Sequence, residues 1–450
     1  MSEAEISKKP IIEGSFSKVQ RDETDAGITF TDGAIFHPRD NSLLTFTLRQ
    51  DAKSIYMVAN RAFDDDDLFG RPREGSGLGN VLRVASRKVG TPLAPLLGSL
   101  QFTNRDIVRR EVGSLRGDGH ASLRVASGNF AHLFTSTLQA QVGAMRRLQG
   151  DSIARGEASV EDNVAPKTKT DMRYWTAGFG QTGKLARQKG IDGMDQDSYG
   201  TLFGISRQVS KNLDIGAAFG FGRMDGRERP GSGIDSRVKA LGGSIYGDLS
   251  YRIGYVSAQA GLHRFKNRTD RSVIGIEDIE GNNRATYSTN VSTAAIEHGI
   301  VVDLGATARL TAIIPTIEYA RLSGTDFAET GSPAALVGRS DAYKSVRLGA
   351  GLELSKNVTT ARGQRFAPYA RIMYKNELGD REAGFASGFA ADPSLAFSSH
   401  SRELKHGILE TAAGISSPAD QAVTVSLDYQ GQANHSFHNH SVKIGMNVRF

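Results

Sequence analysis

Asp118, His120 and Ser122 place a carboxylate, an imidazole and a hydroxyl close together in the sequence, the three groups that a hydrolytic triad requires. In such a triad the nucleophile, the base and the orienting carboxylate align with one another in a defined geometry. Three residues within one turn at the start of a helix cannot align in this way, so we exclude a catalytic site here.

Two further groups of side chains are of types that bind metal ions. His435, His438 and His440 could bind a metal, but the polar stretch around them favours an exposed loop. Asp64–Asp67 is a run of four aspartates, yet it lacks the alternating ligands and closing glutamate of an EF-hand loop, so a solvated linker is preferred. We expect no catalytic residue, no metal site and no cofactor.

The composition narrows the class of protein. The chain has 450 residues, a formal net charge of only +6 and no compact basic patch, so we expect no nucleic-acid partner. There are 0 cysteines, which excludes disulfides and thiolate chemistry. No apolar run approaches the roughly 20 residues of a transmembrane helix, which argues against a helical inner-membrane protein.

From Met172 onward the sequence alternates between apolar and polar or small residues with a period of two. Leu213, Ile215, Ala217, Phe219 and Phe221, for example, alternate with small or acidic residues. About twelve such segments of roughly ten or more residues follow one another, the length that a tilted membrane strand needs. The segment near 284–303 is less regular, and a β-bulge is expected there.

Short and long connections alternate strictly between these segments. Short turns are predicted near 211–212, 251–252, 305, 362–363 and 418–420, and long polar loops at 187–196, 226–235, 267–283, 323–340, 378–400 and 431–437. Bacterial outer-membrane barrels combine short periplasmic turns with long outer loops. The order of the connections then places both ends of the barrel on the periplasmic side.

Several charged residues fall on the face of these strands that would point into the barrel. They are Glu318, Arg347, Glu353, Arg371, Glu410, Asp428, Lys443 and Arg449. Such residues could simply solvate the lumen and bond to one another, as barrel interiors do. Some of them could instead hold a helix, and the sequence does not decide between these interpretations.

A helical pattern precedes the first strand. Short helices are predicted between Leu78 and Leu115, followed by a long amphipathic helix over 118–148 whose apolar face includes Leu123, Ala126, Phe130, Phe134 and Leu138. A helix of about thirty residues is long enough to cross a membrane-sized barrel. We expect its apolar face at Ala126 and Phe130 to contact wall glycines such as Gly349 and Gly351.

The chain ends on an amphipathic strand whose apolar face consists of Val442, Ile444, Met446, Val448 and Phe450. A closed membrane barrel needs such a strand, because its last strand must pair with its first to remove the sheet edge. We interpret these residues as the signal for barrel insertion.

Together these stretches resemble the translocator domain of autotransporters, the proteins of type V secretion. Residues 197–222, with the sequence DSYGTLFGISRQVSKNLDIGAAFGFG, resemble the second and third strands of that domain. Leu115–Leu148, whose helix opens with GDGHAS, resembles the junction between passenger and barrel. The resemblance covers roughly residues 77–450.

The resemblance implies a mostly β fold: a 12-stranded antiparallel transmembrane β-barrel in the outer membrane with an α-helix in the pore. It implies 1–62 as the β-rich end of an exported passenger, 63–116 as a linker with short helices, 117–171 as the pore helix and tether, and 172–450 as the barrel. Members that cleave themselves in the pore use a pair of asparagines, whereas this helix has only Asn129. Self-cleavage is therefore not expected.

The expected function is export and anchoring of the passenger at the cell surface, without enzymatic activity. The expected partners are outer-membrane lipid, the barrel-assembly machinery and periplasmic chaperones, with a monomeric barrel. Because 1–16 contain no apolar signal segment, a longer precursor or a wrongly set start of the sequence is expected. The alternatives are the anchor of a surface esterase or protease encoded upstream, or an ordinary porin or adhesin.

Overall fold

The structure is a computed structural model that describes residues 35–36, 41–50, 55–60, 63, 66–69, 77–154, 172–188, 191–210, 212–229, 233–305, 307–361, 364–418 and 423–449. Phe450 of the expected insertion signal lies outside these residues, as do 1–34 of the expected passenger end.

Strands dominate the described part of the chain. In order they are β1 (Ile35–Phe36), β2 (Thr45–Gln50), β3 (Ile55–Asn60), β4 (Met172–Leu185), β5 (Gly193–Ser210), β6 (Leu213–Arg229), β7 (Ile234–Tyr251), β8 (Gly254–Val273), β9 (Gly281–Asp303), β10 (Ala308–Leu322), β11 (Thr325–Ala328), β12 (Leu336–Ser340), β13 (Tyr343–Lys356), β14 (Val358–Thr359), β15 (Arg365–Glu377), β16 (Gly384–Phe389), β17 (Ala396–His400), β18 (Gly407–Pro418), β19 (Val423–Ala433) and β20 (Phe437–Arg449).

The long strands form a closed antiparallel barrel of twelve strands, which confirms the predicted fold class. Strands β4 to β10 pair in sequence and are followed by β13, β15, β18, β19 and β20. The sheet closes where β20 pairs with β4, with Val442 opposite Gly180 and Val448 opposite Tyr174. Each strand therefore has two neighbours, and no open edge remains.

The outer wall carries an apolar belt, because alternate residues of each strand point away from the lumen. On β13 the outward residues Leu348, Leu352 and Leu354 are 42%, 48% and 50% exposed, and the exposed Lys344 and Lys356 lie at the two ends of this row. The distance between these lysines matches the roughly 9–11 residues of a tilted membrane strand. This belt fits the thickness of a bilayer.

Several strands extend further than the sequence indicates. The segments 226–235 and 267–283 were predicted as loops, but most of their residues belong to β6, β7, β8 and β9, so these loop boundaries are wrong. Charged outward residues hide the apolar alternation there, whereas the inward Ile234, Thr269 and Val273 remain buried. The inward face thus keeps these strands in the sheet beyond the apolar belt.

The bulge also lies elsewhere than predicted. Strand β9 pairs with β8 without a register shift, whereas the shift occurs on β10 between Ile313 and Thr316. Pro315 lies at this point, and proline cannot donate to the ladder. The irregularity expected near 284–303 therefore belongs to the neighbouring strand.

The two longest outer connections carry the hairpins β11–β12 and β16–β17. These hairpins join into one four-stranded sheet in the order β11-β12-β16-β17, with Leu336 paired with Phe389. We call this sheet the loop sheet. It lies at the outer mouth of the barrel, beyond the ends of β10, β13, β15 and β18.

The described helices are α1 (Asp66–Phe69), α2 (Leu78–Ser86), α3 (Ala94–Phe102), α4 (Arg105–Arg116) and α5 (Asp118–Ala154). Helices α2 to α4 share an apolar cluster with the loop sheet that includes Leu82, Leu100, Leu115, Phe385 and Phe397. None of the helices in the described part is both long and apolar enough to cross a membrane.

Helix α4 is capped by Asn104, whose side-chain oxygen accepts a hydrogen bond from the Asp106 backbone N–H at 2.8 Å. The hydroxyl of the adjacent Thr103 donates to the Ser99 carbonyl of α3 at 2.7 Å. Thr103 therefore completes the preceding helix.

A charge placed in the apolar belt should cost more near its middle than at its end. Leu348→Arg is expected to lower the free energy of unfolding by roughly 2–4 kcal/mol, because the guanidinium cannot reach water easily. The matched control Leu354→Arg, two residues from Lys356, should cost about 0–1 kcal/mol. Both values can be measured by denaturant unfolding in lipid vesicles, and equal costs would contradict the position of the belt.

Candidate functional site: the helix-filled pore

Helix α5 lies inside the barrel. It contains 37 residues, and every side chain from Asp118 to Leu138 is buried. At about 1.5 Å per residue the helix is about 55 Å long, sufficient to pass from one mouth of the barrel to the other. The pore therefore contains a helix along its length.

One face of α5 packs on the apolar side of the lumen. Phe130 lies 5.4 Å from the Phe265 ring on β8, and Phe134 lies 5.2 Å from the Phe179 ring on β4. A Cβ atom at Gly222 of β6 would come within 3.1 Å of both helix phenylalanines. The missing side chain at Gly222 thus gives room for the two rings.

The opposite face of α5 bonds to polar groups on the strands that follow. Arg347 donates to the Asn129 side-chain oxygen at 2.7 Å, and Lys443 donates to the Ser136 hydroxyl at 3.0 Å. His132 Nε2 lies 2.9 Å from the Ser345 hydroxyl. Because the lumen wall is apolar on one side and polar on the other, it fixes the rotation of the amphipathic helix about its axis.

A cluster of charges on β9 to β18 faces this polar side. Lys375 binds Glu318 at 2.6 Å and Glu410 at 2.7 Å, and Arg371 binds Glu297 at 2.6 Å. The side chain of Lys375 and both of its partner carboxylates are no more than 4% exposed. Buried charges of this kind are tolerated only when they are paired and hydrogen-bonded.

The C-terminal part of α5 contributes two arginines to this network. Arg146 lies 3.3 Å from Asp248 and stacks over the Tyr255 ring. Arg147 lies 3.4 Å from Glu353 and 3.7 Å above the centre of the Tyr369 ring. These contacts hold the helix near the short turns, at the mouth opposite the loop sheet.

The N-terminal end of α5 is held by the outer connections of the barrel. Arg124 donates to the backbone carbonyls of Leu322, Ser323 and Asp341 at 3.2, 2.8 and 2.7 Å. His120 stacks on Phe327 of the loop sheet with ring centroids 4.6 Å apart. The helix is thus bound at both mouths.

A buried carboxylate joins the helix, the barrel and the loop sheet. Glu329 lies 2.8 Å from His120 Nε2 and accepts hydrogen bonds from the Arg271 guanidinium of β8. Burial by itself would raise the pKa of Glu329, but the Arg271 charge and the His120 hydrogen bond hold it at about 2. Glu329 therefore remains ionised at neutral pH.

The structure places most predicted site residues as follows. Leu123, Ala126, Phe130, Phe134 and Leu138 of α5 are buried in the pore. The residues that face the lumen are Glu318, Arg347, Glu353, Glu410, Asp428 and Lys443, all buried, together with the largely buried Arg371. Val442, Ile444 and Met446 are exposed on the outer face of β20, and Val448 is half-buried there.

The predicted wall glycines differ from expectation. Arg449 keeps the alternation of the inward Lys443 and Asn447 but is exposed, because it occupies the last described position of β20, where the lumen opens. Gly349 and Gly351 do not receive the helix: the space beside them is taken by Lys375 and Met373 of the neighbouring strand β15. The phenylalanines contact Gly222 instead, which sequence alternation alone could not reveal.

The residues considered for chemistry do not converge. Asp118 binds Arg116 at 2.6 Å and His120 binds Glu329, so neither partners the buried Ser122. His438 and His440 lie on the outer face of β20, where His440 Nδ1 is 2.7 Å from the Tyr429 hydroxyl. Within the described ranges, no group of three His, Asp or Glu side chains is arranged to hold a metal ion.

Sequence reasoning missed several members of the network. Lys375 and Glu377 lie on the same inward face as Arg371, at two-residue steps along β15, so their alternation could have identified them. Glu297 was missed because its strand seemed irregular. The pair Arg271–Glu329 joins residues from a strand and an outer loop, which no local pattern connects.

The arrangement closes the pore rather than forming an open channel. Two gaps that border α5 in the described part have volumes of only about 40 and 10 Å³. Such volumes accommodate at most a few water molecules. The helix, its charge partners and the aromatic contacts therefore act as a plug.

The chain is similar in sequence to one protein family and in fold to several solved structures. The sequence profile described as the autotransporter beta-domain matches residues 174–430. Among solved structures, the translocator domain of the autotransporter NalP from Neisseria meningitidis is 18% identical, with a TM-score of 0.49, covering 69% of this chain and 97% of that one. The beta domain of the Bordetella autotransporter Brka is 18% identical, with a TM-score of 0.49, covering 62% and 100%. A search of curated proteins gave no match.

Removing the cation of the charge cluster should destabilise the barrel. Lys375→Met leaves Glu318 and Glu410 buried without their cation, and we expect a loss of roughly 3–5 kcal/mol in the free energy of unfolding. Adding Glu410→Gln should recover part of this loss, because one uncompensated charge is removed. Denaturant unfolding in detergent micelles measures both, and a double variant no more stable than Lys375→Met would contradict the pairing.

The Glu329 contact should depend on pH. The folded-state pKa of about 2 is below the usual value for glutamate, so its stabilisation is present above roughly pH 4.3 and is lost as the pH falls towards 2. Glu329→Gln should therefore be less stable than wild type at pH 6 by roughly 3–5 kcal/mol, with the difference shrinking towards pH 2.

Melting curves of the two proteins between pH 2 and pH 6 test this dependence. Glu403→Gln is the matched control. Glu403 also pairs with an arginine, Arg381 at 2.6 Å, but both lie in the connection between β15 and β18, and the Glu403 side chain is 39% exposed. The control should change stability little at any pH. A constant difference between Glu329→Gln and wild type across the range would refute the ionised pair.

Proposed function

The chain belongs to the autotransporter beta-domain family, and from this premise we propose that α5 is the part of the exported chain that remains in the pore and seals it. The protein is an outer-membrane barrel that exports a passenger to the cell surface. The observation that carries the proposal is the bonding of α5 to the lumen wall, at Asn129 and Ser136 in the middle and at both mouths.

The direction of α5 supports the proposal. Its N-terminal end contacts the loop sheet through His120, and its lower end contacts Asp248 near the short turn after β7. The chain before α5 therefore emerges at the mouth with the long connections, which is the outer one in bacterial barrels. A passenger attached there would be on the cell surface.

We divide the chain on this basis. Residues 1–62 are the end of the passenger, 63–116 a helical linker, 117–171 the pore helix and tether, and 172–450 the barrel. The burial of Leu82, Leu100 and Leu115 against the loop sheet supports a linker that docks on the outer mouth once export is complete. Docking would hold the passenger close to the barrel.

The proposed activity needs no bond chemistry in this chain. The barrel provides a path and an anchor, so we assign it no enzymatic role and place any catalytic activity in a passenger. Asn129, the asparagine of α5, is held by Arg347, and we expect α5 to stay joined to the barrel without self-cleavage.

The proposed partners follow from the wall and from the last strand. Outer-membrane lipid would cover the apolar belt, and the barrel-assembly machinery would recognise the outward alternation of Val442, Ile444 and Met446 in β20. Periplasmic chaperones would protect the strands before insertion. The closed sheet offers no free edge for pairing with a second copy, which supports a monomeric barrel.

Removing the helix should open the pore. In planar bilayers the full chain is expected to conduct ions weakly, whereas a variant lacking 1–150 should conduct several-fold more, because α5 fills the lumen. A variant lacking only 1–76 keeps α2 to α5 and serves as the control, with conductance close to that of the full chain. Unchanged conductance without 1–150, or rapid protease cleavage near Phe130 in the folded protein, would place α5 outside the pore.

A further inference from the structure

An open groove crosses the outer wall of the barrel, separate from the pore, and has a volume of about 930 Å³. It follows two adjacent rows of outward residues across β20, β4, β5, β6, β7 and β8. In register, the first row is Val442, Gly180, Tyr199, Arg223, Lys239 and Lys266. The second row is Ile444, Gly178, Thr201, Phe221, Leu241 and Arg264.

The groove is apolar and unfilled at its β20–β4 end. Apart from its two chain neighbours, no atom of the described residues would lie within 4 Å of a Cβ atom at Gly180, so the wall is uncovered at this point. Val442 and Ile444 border it and are 46% and 62% exposed. This end can accommodate a hydrocarbon chain lying against the wall.

The β7–β8 end of the groove is cationic. Lys239 and Lys266 are direct cross-strand partners and are both exposed, although like charges in this position destabilise a sheet. Within the described residues, neither lysine nor Arg264 forms an ion pair. Arg223, in the same row, is paired with Asp225 at 2.7 Å. Lys239, Lys266 and Arg264 are therefore the cations of this groove that the described residues leave unpaired.

These cations lie at the edge of the apolar belt on the side of the loop sheet. Val442 is near the middle of β20, whereas Lys266 lies beyond the middle of β8, nearer its outer end, so the row climbs from the belt towards the outer mouth. On β6 the exposed Phe219 and Phe221 give way directly to Arg223. The apolar end thus faces acyl chains, and the cationic end faces the headgroups of the outer leaflet.

We propose that this groove binds a phosphorylated, acylated lipid of the outer leaflet. Its phosphate would be bound by Lys239, Lys266 and Arg264, and one acyl chain would lie over Gly178 and Gly180. The phosphate supplies the negative partner that Lys239 and Lys266 lack. The acyl chain covers the uncovered wall at Gly178 and Gly180. This inference rests on the outer-membrane location of the barrel and not on the proposed role of α5.

Native mass spectrometry of the purified full chain in non-ionic detergent tests the proposal. The probes are a diphosphorylated hexa-acyl glycolipid and its dephosphorylated form. Wild type should bind one molecule of the phosphorylated lipid, and Lys239→Gln with Lys266→Gln should weaken binding by about tenfold or more. Gly180→Trp should weaken binding with the charges intact, because the indole fills the apolar end. The dephosphorylated form should bind weakly to all variants.

The matched control is Arg207→Gln with Lys356→Gln, which removes two exposed cations at the opposite end of the barrel. It should bind the phosphorylated lipid like wild type. Equal binding by the lysine variant and wild type, or equal loss in the control, would overturn the proposal. Competition by inorganic phosphate below millimolar concentration would show a site for soluble phosphate and would also overturn it. Because the assay uses isolated protein, its outcome is independent of passenger export and of pore conductance.

Discussion

The structure depends on the pairing of β20 with β4. Inside a bilayer no water is available for backbone N–H and C=O groups, so a sheet can span it only when every strand has two partners. The seam from Phe437–Leu185 to Arg449–Arg173 supplies the last of these pairings. Without it, two strands would expose unpaired backbone to lipid. The final strand of the sequence is therefore also the element that makes the barrel possible.

Closing the sheet creates a lumen, and the alternation of side chains along each strand determines which residues line it. Because each strand turns every second residue inward, an apolar outer belt is accompanied by an inner row that lipid does not touch. In this chain that row is mainly apolar over the middle of β4 to β8, with Trp175, Phe179 and Phe265, and mainly polar or charged over β9 to β20. Buried charges such as Lys375, Glu318 and Glu410 are stable only as a connected network. The amphipathic α5 matches both halves, with Phe130 on one side and Asn129 on the other.

The contacts at the two mouths give the plug its direction and connect the fold with export. Arg146 and Arg147 bind near the short turns, and His120 binds beneath the loop sheet. The helices before α5 cover the same outer sheet with their apolar side chains. A chain segment that has passed through the pore can in this way be held at both ends. The outer wall contacts the membrane instead of the exported chain. The groove on this wall is cationic where the apolar belt ends.

The sequence by itself determined the strand periodicity, the barrel, the apolar belt and the amphipathic helix, because each depends on residues close together in the chain. Tertiary structure alone decided the strand ends beyond the belt, since the inward Ile234 and Val273 there are buried among residues far away in the sequence rather than marked by local alternation. It also decided that Phe130 meets Gly222 and not Gly349, because the neighbouring Lys375 fills that space. The pair Arg271–Glu329 exists only after an outer loop folds back over the mouth. Contacts between residues far apart in sequence depend on barrel register and loop path, which no local pattern encodes.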